Sequence, residues 1–91
     1  MKKLLLALPL TLPLTAFGAA DCPEYPKDEW MSILDMQKMI VNDYGFEISR
    51  FKIDDECYEI YGWETDDSGE RQKIEVYFDT KTGAIVKKED D

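Results

Sequence analysis

The sequence predicts an α+β fold, one N-terminal helix packed on an antiparallel three- to four-stranded β-sheet. Three observations carry this prediction. Only the stretch between Ser32 and Gly45 repeats its apolar residues at helical spacing. The later runs Phe46 to Ile53, Cys57 to Trp63 and Gln72 to Asp79 are rich in aromatic and branched residues and alternate as strands do. Asp66-Asp67-Ser68-Gly69 and Thr80-Lys81-Thr82-Gly83 punctuate them as turns. A helix followed by a meander of strands has to bury one face of each against the other.

The first twenty residues are predicted to lie outside this domain. Lys2 and Lys3 precede a nearly continuous apolar stretch from Leu4 to Ala16, and Gly18 and Ala20 then fall at the small-residue positions of a cleavage site. Residues 1–20 therefore have the form of a signal peptide, leaving 21–91 as a single exported domain. The alternative, a membrane anchor, suffers from the short apolar stretch and from Pro9 and Pro13, since a spanning helix takes roughly 20 residues. A lipid anchor on Cys22 is disfavoured because this cysteine is second, not first, after the cleavage point. The expected location is the periplasm or the exterior of a bacterial cell, with no stable membrane anchor once the signal is removed.

With Lys2 and Lys3 gone, nine basic residues face twenty acidic ones, a net charge of −11. A field of that sign repels nucleic acid and anionic lipid and favours cations or basic protein surfaces. Solubility alone is the plainer explanation. Cys22 and Cys57 lack the C-x-x-C spacing of a redox dithiol, and the chain has no histidine to complete a zinc site. In an oxidising compartment such a pair is expected to form a structural disulfide. Closing a loop of this length contributes about 4 kcal/mol in the chain-entropy model, much of the stability of so small a domain.

Along the domain, Asp21 to Lys27 is expected to be extended, with Pro23 and Pro26 in it. Ser32 and Asp35 make a capping pair, and Met31 and Met36 sit where a hydrophobic staple would close. Ile33, Met36, Ile40 and Tyr44, joined by Trp30 and Val41, form the predicted apolar face, and Gly45 ends the helix. In the first strand Phe46 and Ile48 are out of phase with Phe51 and Ile53, which a bulge near Ser49-Arg50 would repair. Tyr58, Ile60, Ile74, Val76 and Phe78 are the predicted core partners of the helix. Ala84 to Lys87 makes a short fourth strand, and Glu89-Asp90-Asp91 is expected to fray.

The opposite sheet face would carry Glu59, Tyr61, Trp63, Glu75 and Tyr77, with no second helix to cover it. Rigid aromatics on an uncovered face mark interfaces, and an acidic frame of Glu59 and Glu75 would favour a partner with basic groups. The competing explanations are cross-strand pairing that stiffens the sheet, or cover by the N-terminal arm. The free edge of the fourth strand offers a second route, addition of an extended peptide.

Catalytic chemistry finds no support. Without histidine neither a histidine base nor a histidine-activated nucleophile is available, and the five glycines are scattered rather than gathered in a phosphate loop. No cofactor is implied. One metal arrangement competes: Glu64, Asp66, Ser68 and Glu75 approximate the ligand spacing of a calcium loop, with Gly69 at its turn. Arg71 stands where such loops hold a hydrophobe, and the flanks have strand character. The alternative function is therefore weak calcium binding by acidic loops, and the simpler alternative a hairpin turn with solvated acids.

Cys22-Pro23 followed by Trp30, the helix end Tyr44-Gly45-Phe46, the block Glu56-Cys57-Tyr58-Glu59-Ile60-Tyr61-Gly62, and Val76-Tyr77-Phe78-Asp79 with Thr82-Gly83 occur in an order that resembles the small periplasmic PepSY-domain proteins. The resemblance runs from Cys22 to about Val86. It implies a helix on an antiparallel sheet and a binding or inhibitory role, as in propeptides that restrain thermolysin-like proteases. It implies no catalytic residues, and it supports the Cys22–Cys57 disulfide, since both cysteines fall where this subgroup keeps them. The implied partner is a protein, with a protease or a membrane redox protein as candidates, and the chain itself a monomer or weak dimer. The dense acids at Asp54-Asp55-Glu56 and from Glu64 to Glu70 depart from many relatives.

Overall fold

A computed structural model describes residues 20–91; the signal-peptide expectation for residues 1–20 lies outside the described residues except at Ala20. One helix, α1 (Ile33–Asn42), precedes four strands: β1 (Glu47–Asp54), β2 (Cys57–Thr65), β3 (Arg71–Asp79) and β4 (Ile85–Asp90). The strands pair antiparallel in sequence order, and α1 lies on one face of the sheet. This is the predicted α+β architecture with its fourth strand present.

The helix begins where its cap places it. Ser32 is extended, and its Oγ accepts the Asp35 amide at 3.0 Å, satisfying a donor that the first turn leaves open. Met31 and Met36 both pack on the core. The chain leaves α1 through Gly45 at φ 75°, where a side chain would be strained, and the Phe46 amide turns back to the Ile40 carbonyl at 3.1 Å.

Met36 and Ile40 are buried on α1 with Met39 partly buried beside them, a stripe rotated from the predicted one. Ile33 and Val41 are 45% and 51% exposed. The reason is the β3–β4 turn. Gly83 (φ 78°) has no side chain, so Met39 and Met31 come into direct contact with its backbone, while Tyr44 donates to the Gly83 carbonyl at 2.8 Å. Met39 and Tyr44 are thereby turned to the Gly83 turn, and Ile33 and Val41 are left exposed. Met36, Ile40 and Phe46 from the helix side meet Tyr58, Ile60, Ile74, Val76 and Phe78 from the sheet.

The N-terminal arm is stitched to one end of the sheet. After Pro26 it makes a single 3₁₀ turn, Lys27–Glu29. Cys22 is bridged to Cys57 across 35 positions, Trp30 packs edge-on against Tyr58 at 5.4 Å, and the Met31 backbone bonds both Thr80 and the Tyr58 hydroxyl. Asp79 gathers the rest. Its carboxylate accepts the Lys81 and Thr82 amides and the Tyr25 hydroxyl, each at 2.9 Å.

The acidic end of the chain does not fray. Glu89 and Asp90 belong to β4, opposite Glu75 and Ile74, and the Asp91 amide reaches the Lys73 carbonyl at 3.0 Å. Unpaired backbone groups on the outer edge of β3 outweigh the charge of the tail. The Lys87–Glu89 and Lys88–Glu64 ion pairs, at 2.9 and 3.0 Å, disperse that charge.

Two outcomes follow. Replacing Cys22 and Cys57 with serine lowers the free energy of unfolding by about 4 kcal/mol, measured by urea titration against the oxidised protein. Burial pushes the Asp79 pKa up, but the Thr82 and Lys81 amides and the Tyr25 hydroxyl outweigh it and hold the pKa below the ordinary aspartate range. Its contribution is complete above the ordinary aspartate value and disappears as pH falls through the lower folded value. Asp79→Asn therefore destabilises by about 1–3 kcal/mol at pH 7, and the gap from wild type closes in unfolding curves taken toward pH 2.

Candidate functional site on the helix-free face

Strand alternation and the observed register sort the second face into rows. Lys52, Glu59, Tyr77 and Lys87 make one row, and Arg50, Tyr61, Glu75 and Glu89 the next. Glu47, Trp63 and Lys73 form a third, nearer the β2–β3 turn. All five residues expected on this face stand on it. Their environments divide them.

Glu59 and Tyr77 are buried, at 2% and 3% exposure. The Tyr77 hydroxyl donates to Glu75 Oε2 at 2.8 Å. Glu59 stands diagonally across the β2–β3 ladder from Glu75, and Lys52 Nζ stands 3.9 Å from Glu59 Oε1. Burial first, then the bond and charge of Glu75, push the Glu59 pKa up to about 7 against the pull of Lys52. The Glu59 bond holds Glu75 below the ordinary carboxylate range despite its partial burial, helped by the Tyr77 and Tyr61 hydroxyls. Burial and the bond to Glu75 raise the Tyr77 phenol, and the charges of Glu59 and Glu75 raise that of Tyr61. A buried carboxyl diagonally across the ladder from a half-buried one is disfavoured as a second negative charge.

Tyr61 and Trp63 are only half-buried. The Arg71 guanidinium lies 4.3 Å from the Trp63 ring centroid and also pairs with Glu47 at 2.8 Å, while Lys73 Nζ lies 6.0 Å from the same ring. Beside them is a cavity of about 200 Å³, walled by Ser49, Tyr61, Gly62, Trp63, Lys73 and Asp91. The expected bulge shapes it: Ile48 faces Gly62 and Arg50 faces Tyr61, with Ser49 unpaired between them. Gly62 is needed there because a Cβ at this position would run into the Glu47 carbonyl.

Of the acidic frame expected around the aromatics, Glu59 is buried and Glu75 half-buried. Glu59 and Tyr77 belong to the buried network and are not available as contacts for a partner. The exposed charges next to Tyr61 and Trp63 are mixed: Arg50, Arg71 and Lys73 stand beside Glu47 and Asp91. The carboxyl pair itself lay beyond sequence reasoning. Its signal is two glutamates on facing strands, one register step apart, and the register is a tertiary property.

A family model for the peptidase propeptide and YPEB domain matches residues 3–89. The chain belongs to the PepSY family. Comparison with curated proteins and with solved structures returned no match.

In this PepSY domain the calcium-loop residues are not assembled. Glu64 stands on the helix side of β2, where it pairs with Lys88, whereas Glu75 points from β3 to the opposite face. Asp66 spends Oδ1 on the Ser68 amide and hydroxyl and the Glu70 amide, closing the turn, and this bonding lowers its pKa. Among the described residues, no group of three or more acidic or cysteine side chains could hold a metal ion. The set that looked like a metal loop is a hairpin turn, because strand alternation splits its ligands between two faces.

Gly62→Ala tests the local construction of the PepSY site. The added methyl forces the bulged backbone of β1 away, destabilising the domain by about 1–3 kcal/mol and shifting the Trp63 indole resonance, whereas alanine at exposed Ser49 leaves both nearly unchanged.

Proposed function

We propose that this PepSY domain is a non-catalytic binding or regulatory module, exported to the periplasm or secreted, that acts on a protein partner. The observation that carries this reading is the Tyr61–Trp63 end of the helix-free face. It offers two half-exposed aromatics beside a cavity the size of a side chain, on a sheet surface that no second helix among the described residues covers. Aromatic anchors in shallow pockets dominate the energetics of protein interfaces, and the neighbouring arginines and lysine add groups suited to planar, charge-assisted contacts. Family membership supports a propeptide-like role, with restraint of a protease as its most direct form. The disulfide supports an oxidising compartment.

The test compares wild type with a Tyr61→Ala, Trp63→Ala double variant whose fold is verified by circular dichroism. A thermolysin-like protease is the first probe, followed by partners captured from periplasmic and membrane extracts. The variant is expected to bind at least about tenfold more weakly. Equal binding by both proteins would remove this surface from the interface, and loss of folding in the variant is controlled by the single Tyr61→Phe change, which keeps the ring.

A further inference from the structure

The carboxyl pair lies one register step from the aromatic end, within the same hydrogen-bonded face. Every strand contributes charged or titratable groups to its surroundings: Arg50, Lys52 and Asp54 from β1, Tyr61 from β2, Tyr77 and Asp79 from β3, Lys87 and Glu89 from β4. Several are already engaged. Lys87 pairs with Glu89 at 2.9 Å and its charge also favours ionised Glu75, and Asp79 is held by its own turn and by Tyr25. Lys52 is the cation on Glu59, at 3.9 Å, and its side chain is 38% exposed, so water screens it. A second negative charge at Glu59 would therefore be poorly compensated.

We propose that Glu59 and Glu75 share one proton and act as a pH-sensitive latch on the helix-free face. With the proton in place, the Glu59 hydroxyl bonds Glu75, Glu75 accepts Tyr77, and the face is closed. When the proton leaves to water, two adjacent carboxylates repel, Glu59 seeks solvent, and the Tyr77 and Tyr61 contacts loosen. Tyr61 belongs both to this network and to the wall of the cavity, so the change reaches the proposed docking surface. The regulatory consequence rests on the docking reading above; the latch itself does not.

The experiment is a carboxyl-¹³C NMR titration of the full domain from pH 4 to 9, with tyrosine ring resonances and β2–β3 amide exchange followed in parallel. Glu59 is expected to titrate near pH 7, well above an ordinary glutamate, with the Tyr61 and Tyr77 signals moving at the same midpoint. Glu75→Gln removes the repelling charge and brings the Glu59 midpoint down. Glu59→Gln keeps a donor in place and leaves the tyrosine signals flat across the range. A Glu59 midpoint between about 4 and 5, or a titration near 7 with unmoved tyrosines, overturns the latch. Because this titration needs no partner, a failed docking experiment leaves its result standing, and a failed latch leaves the docking experiment standing.

Discussion

The pairing of β2 with β3, which sets Ile60 opposite Val76 and Tyr61 opposite Glu75, decides what each face of the molecule is made of. A slip of one residue would send Ile60 to solvent and Glu59 into the helix interface. Everything else is arranged around this ladder. β1 and β4 extend it on either side, α1 closes the apolar face, and the N-terminal arm ties off the end where Cys57 and Asp79 stand opposite each other.

The two faces solve different physical problems. On the helix side, methionines and aromatics fill the space between one short helix and a twisted sheet. The other face carries no helix among the described residues and packs itself with long side chains across the strands. Such a face can be stiff only if its polar groups are mutually satisfied, because a half-satisfied network is less stable than an apolar one. The Tyr77–Glu75–Glu59 chain meets that condition while holding one proton. The Trp63 end meets it differently, by stacking Arg71 on the indole and leaving a hollow beside the bulge.

Local features were legible in the sequence because they depend on neighbours in the chain. Ser32 and Gly45 delimit the helix through caps, and the phase break between Ile48 and Phe51 located the bulge. Alternation assigned Tyr58, Ile60, Ile74, Val76 and Phe78 to the core. What was not legible depends on contacts between distant segments. Met39 displaced Ile33 and Val41 because Gly83, more than forty positions away, leaves room for its sulfur. The tail became a strand because β3 had an open edge. Glu59 looked like a surface acid because alternation fixes a face but not its depth. The calcium-loop spacing failed for the converse reason: a ligand count along the chain assumes a loop, and a β-hairpin turns alternate residues away from one another.

The sulfur bridge holds the arm against the sheet, and the arm in turn presents Tyr25 to Asp79 and Trp30 to Tyr58. This domain's integrity is consequently conditional on where it resides. Among reducing thiols the same polypeptide loses its tether, and the arm, the capped turn and the packing around Tyr58 weaken together. Such a chain is more pliable in reducing surroundings than in oxidising ones, so closure of the Cys22–Cys57 bridge is itself a folding step.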